Sequence, residues 1–356
     1  MVAFKYKGMT STGRPSKDVF ICFILLFLTM VPADARRSAE GPVELTIYPA
    51  KAGELEKKYQ LMVKAEDQID ADAVPLYEKA VKSIPKDFNQ EQIREWLKLP
   101  VEQLPQEQAE VALQKYLEPL KLVARAVQCK ECNWPEWKPG NQPENLTEYR
   151  KLAYILELWA RLEISRGGYE GAAIAIRTGF GMARHLGEGP TIIQGLVGMA
   201  IGGIMCREVE QFVQQKDSPN LHRALASLPR PFIDMEKAIE NEKKVGLGSI
   251  KNELLREQIE KQMESSLART RLISKRLVNN LNVLQCVEAI RHYAAMLDGQ
   301  LPDNLSDISS VELPNDMVSG KRFEYHRTAT GATLQSAIPE GSNERDAFHY
   351  LIVLKK

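Results

Sequence analysis

The sequence lacks an excess of charge of either sign. Its 47 Lys and Arg residues balance its 47 Asp and Glu residues over 356 positions, so the formal net charge at pH 7 is zero. A protein that binds nucleic acid through the phosphate backbone normally carries a strongly basic surface. We therefore expect no nucleic-acid partner. Apolar residues make up 44% of the chain and charged residues 26%, which is typical of a globular protein.

The sequence also lacks the short motifs that identify common enzyme classes. It contains no H-E-x-x-H zinc motif, no G-x-S-x-G nucleophile elbow and no phosphate-binding P-loop. The fragment Gly179-Phe180-Gly181 lies inside a predicted helix, whereas a dinucleotide-binding glycine motif follows a strand. The sequence therefore predicts no cofactor, and a non-enzymatic role is favoured over catalysis.

The N-terminus is typical of a secretory signal peptide. Four basic residues precede the apolar run 19–31, and the small-residue site Ala33-Asp34-Ala35 follows it. These are the three parts of a signal peptide, and the apolar run is too short for a comfortable membrane span. We expect cleavage of residues 1–35 near Ala35 and export to the periplasm or cell envelope. Retention of the segment as an anchor is the alternative.

Cysteines are few, and only one pair is close in sequence. Cys129 and Cys132 form a C-x-x-C sequence, without a second pair at zinc-finger spacing and without the His of a haem-attachment motif. A predicted helix precedes the pair and Trp134-Pro135 follows it, unlike the strand and helix around a thioredoxin-like site. Because disulfides form in exported proteins, we predict a local disulfide between Cys129 and Cys132.

The most apolar stretch after the N-terminal run lies between Tyr149 and Phe212. It contains three helical segments in succession, separated by Gly167-Gly168 and by the turn Gly187–Pro190. A helix, a tight glycine turn and a helix of small residues follow one another in tetratricopeptide-like hairpins, although no fixed repeat period is present. We therefore predict a mainly α fold built as a helical-hairpin array, with its core at residues 144–245.

The third of these segments raises the question of a membrane helix. No charged residue occurs from Gly189 to Cys206, a run of 18 residues at the lower limit for a membrane span. The run is diluted by glycine, and both flanks continue as amphipathic helix. We favour a buried helix of a globular bundle, with a membrane-associated protein as the less favoured alternative.

Three further regions complete the predicted layout. Residues 36–143 form an N-terminal helical region, of which residues 36–52 look extended and mobile. Apolar residues at steps of three and four predict one long helix over 246–297, as a solvated helix or coiled-coil arm. Residues 298–356 alternate in short runs between turns, which predicts a small C-terminal antiparallel β-sheet.

Two stretches resemble a known family. Residues Ala183–Gly198 and Leu228–Pro231 resemble uncharacterised exported helical proteins of planctomycete bacteria, over about Val74–Glu242. Residues 284–336, including the sequence Gly299–Leu305, resemble a module at the end of those proteins. That module is similar to the globular end of type II secretion pseudopilins, in which a long helix precedes a small antiparallel sheet. The resemblance implies a fold and a compartment, but no activity.

Polar residues on both sides of the glycine turns are the candidates for a catalytic site. These residues are Glu163, Arg184, His185 and Glu188. A hydrolase-like enzyme with a site near Gly187–Pro190 would bring them together in a pocket and shift their pKa values. A non-enzymatic scaffold that binds other envelope proteins would use them as helix caps and ion pairs, because a His is favoured at a helix C-terminus.

Two further sets of polar residues are close in sequence and include possible metal ligands. Asp303, Asp307 and Asp316 could gather beside the predicted hairpin and hold calcium, although such residues are also common in turns. Glu288 and His292 stand four residues apart on one helical face, where we predict a surface pair rather than a metal site.

Overall fold

The computed structural model describes residues 42–54, 57–136, 145–248, 252–340 and 347–356. The predicted signal peptide at residues 1–35 lies outside them. Helix accounts for 57% of the structure, and a small antiparallel sheet lies near the C-terminus, so the predicted mainly α class is confirmed.

The elements follow one another in a simple order. The helices are α1 (Val74–Lys82), α2 (Gln90–Leu97), α3 (Gln106–Gln114), α4 (Leu117–Ala126), α5 (Leu146–Ser165), α6 (Tyr169–Gly187), α7 (Ile192–Val213), α8 (His222–Ala226), α9 (Glu236–Gly248) and α10 (Glu253–Met296). The strands are β1 (Val43–Ile47), β2 (Ile69–Asp72), β3 (Cys129–Glu131), β4 (Glu324–Arg327), β5 (Ala332–Gln335) and β6 (His349–Leu354).

Helices α5, α6 and α7 pack against one another and form the centre of the fold. The turn between α5 and α6 uses Gly167 at a φ of 70°, which glycine adopts without steric cost. Between α6 and α7 the glycines permit close approach. A Cβ atom added to Gly198 would lie 2.5 Å from the carbonyl oxygen of Ala183. The glycine content of this stretch is therefore a packing feature.

Helix α7 contains the uncharged run that raised the question of a membrane span. Among the described residues it is the one helix that could cross a membrane by length and composition. None of its residues is exposed, and α5, α6, α9 and α10 surround it. Its residues Glu208 and Glu210 are buried as well. These contacts are those of the core helix of a globular bundle.

The long helix α10 starts later than predicted and is only partly an arm. Residues 246–248 belong to α9, which packs alongside the first half of α10. Arg271 of α10 binds Glu236 of α9 through two hydrogen bonds of 2.8 and 3.0 Å. The second half, from Leu281 to Ala294, is buried in the body.

The C-terminal sheet has the strand order β1-β6-β5-β4. Strands β4, β5 and β6 form the predicted antiparallel meander. The fourth strand, β1, was not predicted, and it pairs in parallel with β6 from Val43↔Tyr350 to Ile47↔Leu354. Residues 43–47 are therefore fixed in a sheet and are not a mobile segment, because Leu45 and Ile47 are fully buried. This pairing joins the regions predicted as 36–143 and 298–356.

Candidate functional site

The four candidate catalytic residues do not meet in one place. Glu163 lies near the C-terminal end of α5, beside the turn into α6, whereas His185 lies near the far end of α6. Sixteen helical steps separate Tyr169 from His185, which corresponds to roughly 24 Å along the helix. A single catalytic pocket cannot contain both groups.

Arg184 and Glu188 pair with each other on the surface of α6. Their side chains are 3.5 Å apart at a spacing of four residues, and both are substantially exposed. Exposed ion pairs of this kind contribute little to stability.

Glu163 lies at the N-terminus of α6. A Cβ atom added to Gly171 would lie 2.5 Å from the carboxylate oxygen of Glu163. The helix dipole favours a carboxylate at this position.

His185 lies in an aromatic cluster, by which we mean Tyr77, Trp134, Tyr149 and His185. Nδ1 of His185 is 2.8 Å from the hydroxyl of Tyr77. The Trp134 ring stacks on the Tyr77 ring with centroids 6.2 Å apart, and Tyr149 meets both rings edge-on. Trp134 Nε1 also donates a hydrogen bond of 2.6 Å to the backbone carbonyl of His185. The cluster thus ties α1, α5, α6 and the segment after β3 together.

The protonation states in this cluster are unsuited to nucleophilic catalysis. Burial and, to a smaller extent, the charge of Arg184 lower the pKa of His185 to about 4, so the ring is neutral at pH 7. Burial raises the pKa of the Cys132 thiol well above its ordinary value, and the charge of Glu188 adds to that effect. A catalytic thiol needs a lowered pKa and a base at its sulfur. Cys132 instead donates to the backbone carbonyl of His185 at 3.8 Å.

The predicted disulfide is absent from the structure. Cys129 and Cys132 are both free thiols. Cys129 Sγ donates to the Arg125 carbonyl at 3.6 Å, whereas Cys132 Sγ is directed at α6. Side chains three residues apart in an extended chain point to opposite faces. The strand at Cys129–Glu131 therefore separates the two sulfur atoms.

The three aspartates do not form a metal site. Asp303 binds Arg327 at 2.5 Å, and Asp307 accepts a hydrogen bond of 2.8 Å from the backbone N–H of Asn304. Asp316 is buried and accepts hydrogen bonds from one side-chain amide and two backbone N–H groups. Among the described residues, no group of three or more His, Cys, Asp or Glu side chains could hold a metal ion. The calcium hypothesis therefore has no structural support.

A buried ionic network between α5 and α7 was missed by the sequence reasoning. Arg161 binds Glu208 in a bidentate pair of 3.0 and 2.6 Å, and Arg207 binds Glu157 at 3.2 Å. One carboxylate oxygen of Glu157 has no hydrogen-bond partner, and burial raises the pKa of this group. Within α5, Glu157 and Arg161 lie largely off the stripe of apolar residues that repeats every three or four positions, yet both are buried. Helix α7 covers that side of α5 and supplies the complementary charges.

The predicted surface pair of Glu288 and His292 is also wrong. Glu288 is fully buried and forms an ion pair of 3.0 Å with Arg291, which is buried too. His292 is buried and accepts a hydrogen bond of 2.9 Å from the backbone N–H of Ala52. The N-terminal segment covers this face of α10. The sequence pattern of α10 by itself does not indicate that contact.

An open groove lies between α3, α4 and α5, with a volume of about 330 Å³. Its apolar floor is formed by Leu113, Leu117, Leu120, Trp159 and Leu162. Its polar rim is formed by Glu110, Gln114, Lys121, Glu163 and Arg166. We call this feature the α3–α5 groove.

The α3–α5 groove has two unused polar groups. Arg166 and Glu110 bind each other across one end at 2.8 Å. Within the described part of the chain, Lys121 has no ion-pair partner and the indole N–H of half-buried Trp159 has no acceptor. Leu117 in the floor remains 43% exposed, which leaves apolar surface available to a ligand.

No family model, curated protein or solved structure matches this chain in the comparisons made with it. The resemblance to exported planctomycete proteins therefore stays a prediction.

Proposed function

We propose that this chain is an exported, non-enzymatic scaffold of the cell envelope that binds another protein through the α3–α5 groove. The groove carries the proposal because its apolar floor includes the 43% exposed Leu117, and because Lys121 and the Trp159 indole N–H have no partner among the described residues. The candidate catalytic residues argue against the enzyme alternative, since Arg184 and Glu188 pair with each other, His185 bonds to Tyr77, and Glu163 packs against Gly171.

The chemistry of the groove defines the partner segment. Leu117 and Trp159 favour a segment with apolar side chains, because buried tryptophans are common centres of binding energy. The indole N–H of Trp159, which has no acceptor among the described residues, is a hydrogen-bond donor that a carbonyl or carboxylate of a partner segment can use. Lys121 is the unpaired charge on the rim, while Glu163 is offset by the N-terminus of α6, so an acidic residue beside the apolar ones complements the groove.

Site-specific crosslinking in native cells tests this binding site. A photoreactive amino acid at Leu117 lies in the groove, and one at Val111 lies outside it on α3 and is 66% exposed. We expect one protein to be crosslinked from Leu117 and not from Val111, and Trp159→Ala to reduce that product at least tenfold. Equal products from both positions, or no effect of Trp159→Ala, would exclude the groove as the site.

The predicted export is tested separately by cell fractionation and mass spectrometry of the N-terminus. A chain that begins near Arg36 in the soluble envelope fraction supports signal-peptide cleavage. A chain that retains residues 1–35, or that is released only by detergent, favours the membrane-associated alternative.

A further inference from the structure

Residues 43–52, which we call the N-terminal arm, lie in a slot formed by residues from the rest of the chain. Five residues of the arm, Val43–Ile47, pair in parallel with β6. The side chains of Leu45 and Ile47 are fully buried beneath the strand. Lys355 N extends the ladder with a hydrogen bond of 2.9 Å to the Ile47 carbonyl. The slot therefore accepts an extended segment with apolar residues at alternate positions.

In addition to the hydrogen bonds with β6, four side chains from the rest of the chain bind the backbone of the arm. Their hydrogen bonds are Thr46 N to Gln214 Oε1 at 3.2 Å, Arg291 Nε to Tyr48 O at 3.0 Å, Asn220 Nδ2 to Ala50 O at 2.9 Å, and Ala52 N to His292 Nδ1 at 2.9 Å. The contacts fall on alternate residues of the arm, as the pitch of an extended chain requires. None of them involves an arm side chain.

The groups that bind the arm are positioned by the body itself. Arg291 is fully buried, and it binds Glu288 at 3.0 Å and the Ser218 carbonyl at 2.9 Å. Asn220 donates a second hydrogen bond of 2.8 Å to the Glu288 carbonyl. Because these groups are held by contacts outside the arm, the slot is preorganised to bind an extended backbone.

The arm is attached to the rest of the chain by an exposed joint. Lys51, Gly53 and Glu54 are exposed, and a Cβ atom added to Gly53 would have no neighbour within 4 Å. The chain is buried again at Gln60 and Leu61. An extended segment with its own slot and an exposed joint has the geometry of an exchangeable element.

We propose that the slot also binds the N-terminal arm of a second copy of this chain, so that two molecules associate by exchanging arms. Every contact of the closed molecule is reproduced in the exchanged pair, and only the path of the joint near Gly53 differs. Because the arm is covalently connected to its own slot, the closed form is favoured in dilute solution. The exchanged form increases with protein concentration. The arm is the occupant because its sequence and hydrogen-bonding pattern already match the slot.

Disulfide trapping in the full-length chain tests this proposal. Thr46 and Val353 are directly paired between β1 and β6, and both are partly exposed. One preparation carries Thr46→Cys and a second, differently tagged preparation carries Val353→Cys. After they are mixed at increasing concentration and oxidised, we expect a disulfide-linked heterodimer whose yield rises with concentration and exceeds the control at least fivefold.

The control mixture pairs Thr46→Cys with Val111→Cys, which places an exposed thiol on α3, away from the slot. A single chain that carries both Thr46→Cys and Val353→Cys reports on the closed form, and we expect it to form an intrachain disulfide. If that disulfide forms but the mixture gives no heterodimer above the control, the arms do not exchange. If the double variant forms no intrachain disulfide, the slot itself is wrong and the proposal fails with it.

Discussion

The Tyr77 hydroxyl and Nδ1 of His185 are 2.8 Å apart in a site where burial lowers the pKa of the imidazole to about 4. The unfolded chain has an ordinary histidine pKa near 6.5 and takes up a proton first as the pH falls. The free energy of unfolding therefore decreases between about pH 6.5 and pH 4, by about 3 kcal/mol from this residue.

His185→Asn removes this titration, and we expect a shallower dependence of the free energy of unfolding on pH in that interval. Urea unfolding at pH 7 and pH 4.5 measures the difference for both proteins. A variant with the same pH slope as the natural chain would show that the pKa of His185 is the same in the folded and unfolded states.

The contribution of Glu242 to the free energy of unfolding changes with pH in the opposite direction to that of His185. Burial raises its pKa to about 7, although it accepts a hydrogen bond of 2.7 Å from the Ile192 N–H at the start of α7. Because the folded state holds this proton more tightly than the unfolded state, the contribution of Glu242 to stability falls as the pH rises from about 4.5 to about 7. The stability of Glu242→Gln relative to the natural chain should therefore increase by about 2.5 kcal/mol as the pH rises from 5 to 8. Thermal unfolding of the variant and the natural chain at pH 5 and pH 8 measures this change. The same difference in stability between the two proteins at both pH values would contradict the prediction.

The pair of Arg161 and Glu208 is buried, so loss of one partner leaves an uncompensated charge in the core. We expect Glu208→Gln to lower the free energy of unfolding by about 3 to 5 kcal/mol. Arg161→Met combined with Glu208→Leu removes both charges and should recover most of that loss. Lys98→Met, which breaks an exposed pair with Glu95, is the matched control and should cost less than about 1 kcal/mol. Urea unfolding of the four proteins decides the point, and similar losses for Glu208→Gln and Lys98→Met would be inconsistent with a buried pair.

Gly198 of α7 lies close to the backbone of α6. Gly198→Ala places a methyl group against the backbone carbonyl of Ala183, and we expect a loss of about 1 to 3 kcal/mol from overpacking. Gly53→Ala adds the same methyl group in open space and should change the free energy of unfolding by less than about 0.5 kcal/mol. Equal midpoints of chemical unfolding for both variants would mean that α6 and α7 are farther apart than described.

Local periodicity was sufficient to predict the mainly α class, the long helix and the C-terminal meander. It failed where burial depends on distant parts of the chain. Arg161 lies off the apolar stripe of α5, and its burial involves Glu208 of α7 and the carbonyls of Leu97 and Leu99. His292 looks exposed within α10, but the backbone N–H of Ala52 donates a hydrogen bond to it.

One missed element did carry a local signal. Val43, Leu45 and Ile47 alternate with Glu44 and Thr46, which is the period of a half-buried strand. The parallel partner, β6, lies at the other end of the chain, so no hairpin or turn sequence indicates the pairing. The α3–α5 groove could not be predicted from the sequence, because its floor and rim come from three helices. Within α5, Trp159 lies on the apolar stripe, so its sequence position alone indicates an ordinary core residue.

The pairing of β1 with β6 sets an order of events during biosynthesis. Val43 leaves the ribosome about 300 residues before Tyr350, which at ordinary elongation rates is a delay of roughly 15 to 60 s. Throughout that interval Leu45 and Ile47 have no strand to cover them. Residues His349–Leu354 complete the sheet, so a chain whose synthesis stops short of them is left with β1 unpaired.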